Sequence, residues 1–155
     1  KFFLFVVGLM ARLKNAYIVK CDSFVKDADG QVSEIHCSYI PESKSGSDTS
    51  GINVKGTIHW VSAAHAKRAE IRLYERLCQV EDPSSEAGDF KDYINPNSLQ
   101  TIKQAYIEPD LATAEKGRAY QFIRKGYFVL DKSATPENLI FNRTVTLKDA
   151  WTKKL

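Results

Sequence analysis

Ala16–Ile40 reads AYIVKCDSFVKDADGQVSEIHCSYI. Ala16–Val25 is rich in apolar and β-branched residues. Val32–Ile40 alternates, with Ile35, Cys37 and Tyr39 on one side and Glu34, His36 and Ser38 on the other. Period-two patterning marks half-buried strands, and the intervening Asp27-Ala28-Asp29-Gly30 supplies turn formers, so the stretch is predicted to be a β-hairpin.

The same pattern recurs downstream. Ala119–Asp131 (AYQFIRKGYFVLD) predicts a second hairpin, with Lys125-Gly126 as its turn and Tyr120, Phe122, Phe128 and Leu130 on one apolar face. Val54–Val61, Ser98–Ile107 and Phe141–Leu147 are further strand candidates; in the last, Phe141, Arg143, Val145 and Leu147 share a side. Ser62–Leu77 fits a short turn followed by a strand, and Leu111–Lys116 a single helical turn. Pro41–Gly51 and Glu81–Asp89 are polar loops expected to be mobile. Many short strands with Gly, Pro, Asn and Asp punctuation, and no long helix, imply an all-β sandwich or barrel.

Upstream of the first hairpin, Lys1–Met10 (KFFLFVVGLM) is apolar but too short for a bilayer-spanning helix of about 20 residues. Lys1–Val7 reads as a core strand, and a chain opening on Lys reads as a fragment of a longer protein. The 155 residues suit one domain or two small ones, with eight Phe, seven Tyr and two Trp to build a core. A net charge of +3 is a mild bias towards anionic partners. Cys21, Cys37 and Cys78 have no paired spacing, which suggests free thiols in a reducing compartment, the cytoplasm.

The residue types argue against catalysis within the chain. His59 and His65 stand six apart, which fits no helical metal pair, and His36 and Cys37 point to opposite faces of a strand. Phosphate-binding glycine loops and nucleophile elbows are absent from the sequence, and no acidic pair stands out. No metal site and no catalytic residue are therefore expected. What remains is recognition chemistry. Candidate cations include Arg12, Lys14, Arg118, Arg124, Lys125, Arg143 and the terminal Lys148, Lys153 and Lys154. Gln121 and Arg124 precede the second turn: a Gln amide sets donor beside acceptor and can match a uracil edge, and an Arg fork can take a carbonyl or a phosphate. On spacing alone, ordinary hairpin-tip polarity is the favoured account of the same two residues.

Several strings together resemble one family. They are Arg12–Tyr17 (RLKNAY), Lys55–Ala66 (KGTIHWVSAAHA), Glu70–Leu77 (EIRLYERL), Tyr120–Phe128 (YQFIRKGYF) and Phe141–Leu147 (FNRTVTL). In order and spacing, from about Gly8 to Trp151, they are similar to the C-terminal region of glutaminyl-tRNA synthetases. The Gly56–Ala66 string separates this family from the glutamyl-tRNA synthetases that share its barrels.

The resemblance implies two small antiparallel β-barrels with only short helical turns, one over residues 1–53 and a second over 54–151 with strands returning to the first. It implies that they bind the tRNA(Gln) anticodon stem and loop, with Gln121 and Arg124 at the middle anticodon base, a uracil. Arg12 and Lys14 match basic positions near the first anticodon nucleotide. The family often carries Arg at position 14, and Lys lacks the planar fork, so a phosphate contact is expected there. Leu9-Met10 are apolar where charge is common. The resemblance further implies a monomeric cytoplasmic ligase whose preceding catalytic domain uses ATP with Mg²⁺ to charge tRNA, with no cofactor in this chain and no membrane partner. A stand-alone barrel related to ribosomal proteins, a glutamyl-tRNA synthetase domain and a protein-interaction domain are the rival readings.

Overall fold

A computed structural model describes residues 6–147. The chain divides into two compact units, Lys1–Trp60 and Val61–Leu155. Every regular element is a strand or a short 3-10 turn, among the described residues, as the turn-punctuated alternation predicts.

The first unit holds four strands: β1 (Met10–Leu13), β2 (Ile18–Lys26), β3 (Val32–Ile40) and β4 (Thr57–Ile58). Their order is β3-β2-β1-β4, antiparallel except for the β1–β4 pair. The hairpin over Ala16–Ile40 forms as expected. The Asp27 carboxylate accepts from the N–H groups of Asp29 (3.0 Å) and Gln31 (2.8 Å), and Gly30 takes a φ of 78° that few side chains tolerate. Ala11, Ile18, Val19 and Cys21 are buried, whereas the distal half of the hairpin, with Phe24, Val32 and Ile35, is exposed. Alternation fixes which residues share a face but does not by itself supply a cover.

Two expectations are corrected here. The strand over Val54–Val61 shrinks to Thr57–Ile58, because β1 offers it only Arg12 and Leu13 as partners. Beyond that, the Trp60 indole N–H turns back to donate to the Lys14 carbonyl at 3.0 Å. The strand expected over Lys1–Val7 falls mostly on residues outside the described range; Val6 and Val7 are exposed and extend no strand.

Pro41–Gly51, expected to be a mobile loop, is bonded to the sheet. Ser43 is fully buried; its hydroxyl accepts from the Ile18 N–H and donates to the Ile40 carbonyl, both at 2.7 Å. Ser45 donates through its N–H and hydroxyl to the Ala16 carbonyl, each at 2.8 Å. Ser43→Ala would strand the buried Ile18 N–H, and we expect a loss of about 1–2 kcal/mol. A shift of the denaturant midpoint, followed by the exchange rates of unit-one amides, measures it.

The second unit holds β5 (Lys67–Tyr74), β6 (Leu99–Ile107), β7 (Ala119–Phe122), β8 (Gly126–Leu130) and β9 (Leu139–Val145) in the order β6-β5-β9-β8-β7. All neighbours are antiparallel except β5–β9, which run parallel. Because β9 lies between β5 and β8, Leu139, Ile140 and Phe141 are buried in succession, while Val145 is exposed. The strand expected over Phe141–Leu147 runs two residues earlier, from Leu139 to Val145. The helical turn expected at Leu111–Lys116 is a 3-10 turn over Pro109–Thr113. Neither sheet closes on itself among the described residues, so the expected barrels appear as two open sheets. Among the described residues, the edge strands β3 and β4, and likewise β6 and β7, each pair on one side only.

Candidate nucleic-acid interface

The β7–β8 hairpin stands on a ring cluster. Phe122 stacks on Phe128 with centroids 4.3 Å apart, and Phe141 meets Phe122 at 5.4 Å and Tyr120 at 6.4 Å. Tyr120 pairs with Phe128 across the hairpin, as the apolar pattern predicts. Strand residues alternate sides, so Gln121 faces away from this cluster and is exposed. Its cross-strand partner is Tyr127, 40% exposed and on the same face.

The turn is not centred on Lys125-Gly126. The Phe122 carbonyl accepts from the Lys125 N–H at 2.8 Å, which places Ile123 and Arg124 at the corner. Arg124 there has a φ of 63°, a left-handed conformation that a residue with a Cβ adopts at a cost of about 1–2 kcal/mol. Gly126 instead opens β8 with a φ of 131°, and a Cβ there would run into the Val145 carbonyl oxygen. Among the described residues the Gln121 and Arg124 side chains have no hydrogen-bond or ion-pair partner, and both are exposed. An arginine held in an unfavourable backbone geometry, with its guanidinium given to solvent, is an arrangement that packing does not explain. Arg124→Gly should therefore stabilise the second unit by about 1 kcal/mol while removing the charge. Thermal unfolding of the variant gives the sign.

In the first unit, Arg12 and Lys14 sit at the end of β1. The Arg12 guanidinium donates to the Ser43 carbonyl at 2.7 Å and forms an ion pair with Asp48. Asp48 is held below the ordinary carboxylate range, mainly by the hydroxyl and N–H of Ser50, with Arg12 adding to it. Arg12 thus works as a tie for the 41–51 loop. Lys14 is half-buried beside Asn15, which occupies the left-handed region at φ 59° in the β1–β2 turn. The structure brings Gln121 and Arg124 together on one hairpin, and Arg12 and Lys14 together on one strand end.

Other candidate cations divide by role. Arg143, only 14% exposed, pairs with Glu75 and braces the neighbouring strands. Arg118 lies over the Tyr120 ring at 5.6 Å and beside Glu115 at 3.7 Å. Lys125 remains exposed at the hairpin tip. Lys148, Lys153 and Lys154 lie outside the described residues. No group of three or more His, Cys, Asp or Glu could hold a metal ion among the described residues, and no helix there is long and apolar enough to cross a membrane.

Two family models, both described as the anticodon-binding domain of class I tRNA synthetases (E and Q), match residues 2–40 and 57–131. Together they take in well over half of the chain. The chain belongs to that family. Among similar proteins, a glutamine–tRNA ligase of Rhodopirellula baltica is 52% identical over 155 residues, 99% of this chain. Those of an Enterobacter species and of Serratia proteamaculans are 53% and 50% identical over 96% of it. The chain spans about a quarter (26%) of the length of these relatives. The anticodon-binding family accounts for the all-β architecture and for the matches in both units.

Tyr127, exposed on the same face as Gln121, is not a residue that type and position alone single out. Its signal was present: in a hairpin whose apolar face is Tyr120, Phe122, Phe128 and Leu130, residues 121 and 127 must share the other face. Placing the turn at Lys125-Gly126 concealed the register that makes them direct partners.

Proposed function

We propose that this chain recognises the anticodon of tRNA(Gln) as the C-terminal part of a glutamine–tRNA ligase. The observation that carries the proposal is the β7–β8 hairpin: Gln121 exposed opposite Tyr127, and Arg124 exposed and strained into the left-handed region, its guanidinium without a partner among the described residues. An unstacked uracil offers an N3–H between two carbonyls. The Gln121 amide oxygen accepts from that N–H while its NH₂ donates to one carbonyl. Arg124 donates to the other carbonyl or to a flanking phosphate. The Tyr127 ring supplies a surface on which a base can stack.

In the first unit, Lys14 provides a cation for the backbone near the first anticodon nucleotide. Arg12 contributes by setting the loop beside it, with further donors on its fork for a phosphate. ATP and Mg²⁺ chemistry belongs to the remainder of such a ligase, which works as a monomer in the cytoplasm; this chain contributes binding energy and discrimination. The names of the relatives favour glutamine over glutamate as the amino acid charged.

The test is tRNA binding measured by fluorescence anisotropy. Wild type, Gln121→Ala and Arg124→Ala are titrated against tRNA(Gln) and against the same tRNA altered at the middle anticodon base. Each variant should weaken cognate binding by about 1–3 kcal/mol and lose part of the discrimination against the altered tRNA. Binding overall should fall steeply with salt. If wild type and variants treat the two tRNAs alike, the hairpin does not read the base.

A further inference from the structure

Cys21 and Cys37 are direct cross-strand partners in the β2–β3 hairpin. Directly opposed residues in an antiparallel pair project from the same face. The type of pair follows from the hydrogen bonds. The Cys21 N–H donates to the Leu9 carbonyl at 3.0 Å, and the Cys21 carbonyl accepts from the Gly8 N–H at 2.8 Å. Both backbone groups of Cys21 therefore point away from β3, and Cys21–Cys37 is a non-hydrogen-bonded pair. In such pairs the Cα atoms stand about 4.5 Å apart and the side chains are at their closest, within the range that a disulfide bridges. The two thiols differ in access: Cys21 is 1% exposed, whereas Cys37 is open to solvent. A β-bulge follows immediately, where Asp22 has no register partner on β3, although the Ser38 hydroxyl donates to its carboxylate at 3.2 Å; the bulge interrupts the backbone ladder next to the pair.

We propose that Cys21 and Cys37 form a reversible cross-strand disulfide by exchange with a low-molecular-weight disulfide of the glutathione class. The Cys37 thiolate attacks one sulfur of the oxidised reagent. A bond forms to Cys37 Sγ, the reagent's S–S bond breaks, and the first thiol leaves, taking up the proton that Cys37 released. Cys21, losing its proton in turn, attacks Cys37 Sγ. The Cys21–Cys37 bond forms and the second thiol leaves with that proton. The protein gives up two hydrogens and two electrons, and one disulfide is reduced to two thiols. Burial, with Cys21 and Asp22 nearby, raises the pKa of Cys37 above the ordinary thiol value. The first exchange is therefore slow at neutral pH, and the bridge forms under sustained oxidation rather than in brief pulses.

The bridge would close the hairpin across its bulge and lock the β2–β3 register. Cys78 lies in the other unit and takes no part.

The experiment treats the whole chain with oxidised glutathione, quenches with N-ethylmaleimide under denaturing conditions, and maps the peptides by mass spectrometry. A Cys21–Cys37 linked peptide is expected in the wild type, with Cys78 still carrying the maleimide or glutathione. The linked peptide should be undiminished in Cys78→Ser, fall to background in Cys37→Ser, and disappear on treatment with dithiothreitol. Both tested substitutions are outside the buried core, so folding is retained. A stable glutathione adduct on Cys37 with Cys21 still free to react would overturn the proposal. So would a bridge that joins two chains or includes Cys78.

Discussion

Replacing Phe141 with Ala should cost the second unit about 3–5 kcal/mol, the range for emptying a fully buried aromatic site. Phe141 is 0% exposed and lies on the central strand β9. It pairs in register with Ile71 on one side and Leu130 on the other, and its ring meets those of Phe122 and Tyr120. The cavity would open directly beneath the hairpin that carries Gln121 and Arg124. Its neighbours are rings and branched side chains fixed by two strand pairings, so they can collapse into the gap only in part. Loss of amide protection should spread through β7, β8 and β9 and leave β2–β3 unchanged. Hydrogen exchange read by mass spectrometry would show this. Uniform loss across both units would mean that the two do not unfold independently. Affinity for tRNA should fall with the hairpin, in contrast to Gln121→Ala, which should lower affinity and leave protection intact.

Asp131 is the second position of large effect. Its carboxylate accepts from the hydroxyl and N–H of Ser133 at 2.6 and 2.8 Å, from the Asn142 amide at 2.5 Å, and from Arg72 at 3.5 Å. Arg72 in turn holds Glu70 at 2.7 Å. Asp131→Ala removes all four of these bonds to the carboxylate and leaves the Asn142 amide without its acceptor, a loss of roughly 3 kcal/mol. The bonds from Ser133 and Asn142, with Arg72 nearby, hold the Asp131 carboxyl far below the ordinary carboxylate range. A depressed folded-state pKa means that the stabilisation is complete above the unfolded value, near 4, and is lost as pH falls below it. Wild-type stability should therefore decline from about pH 4 downward. Asp131→Asn should start lower at neutral pH and decline less. Parallel pH profiles for the two proteins would show that Asp131 is not the titrating group.

Most strands were legible because a period-two pattern stands beside turn formers, as in Ala16–Ile40; β1, only four residues long over Met10–Leu13, carried no such signal. What the pattern could not convey was covering. Phe24 and Ile35 alternate as core residues do, yet both are exposed, because nothing local reports what lies over a face. Leu139, Ile140 and Phe141 reverse the case: a strand buried on both sides loses the alternation that marks one. The 41–51 loop looked mobile by composition, and only the long-range bonds from Ser43, Ser45 and Arg12 show that it is tied down. At the candidate interface, Gln121 and Arg124 were legible from residue type and position near a turn. Tyr127 required the register, which a displaced turn conceals.

The parallel pairing of β5 with β9 has a consequence for biosynthesis. Ala69 and Ile71 wait for Leu139 and Phe141, which leave the ribosome much later. Until then β5 and β6 can zip together locally, but their sheet keeps an unpaired edge and an uncovered apolar side. A nascent chain stalled before β9 is therefore a natural client for chaperones and prone to self-association, and release of β9 is the step that ends this exposure.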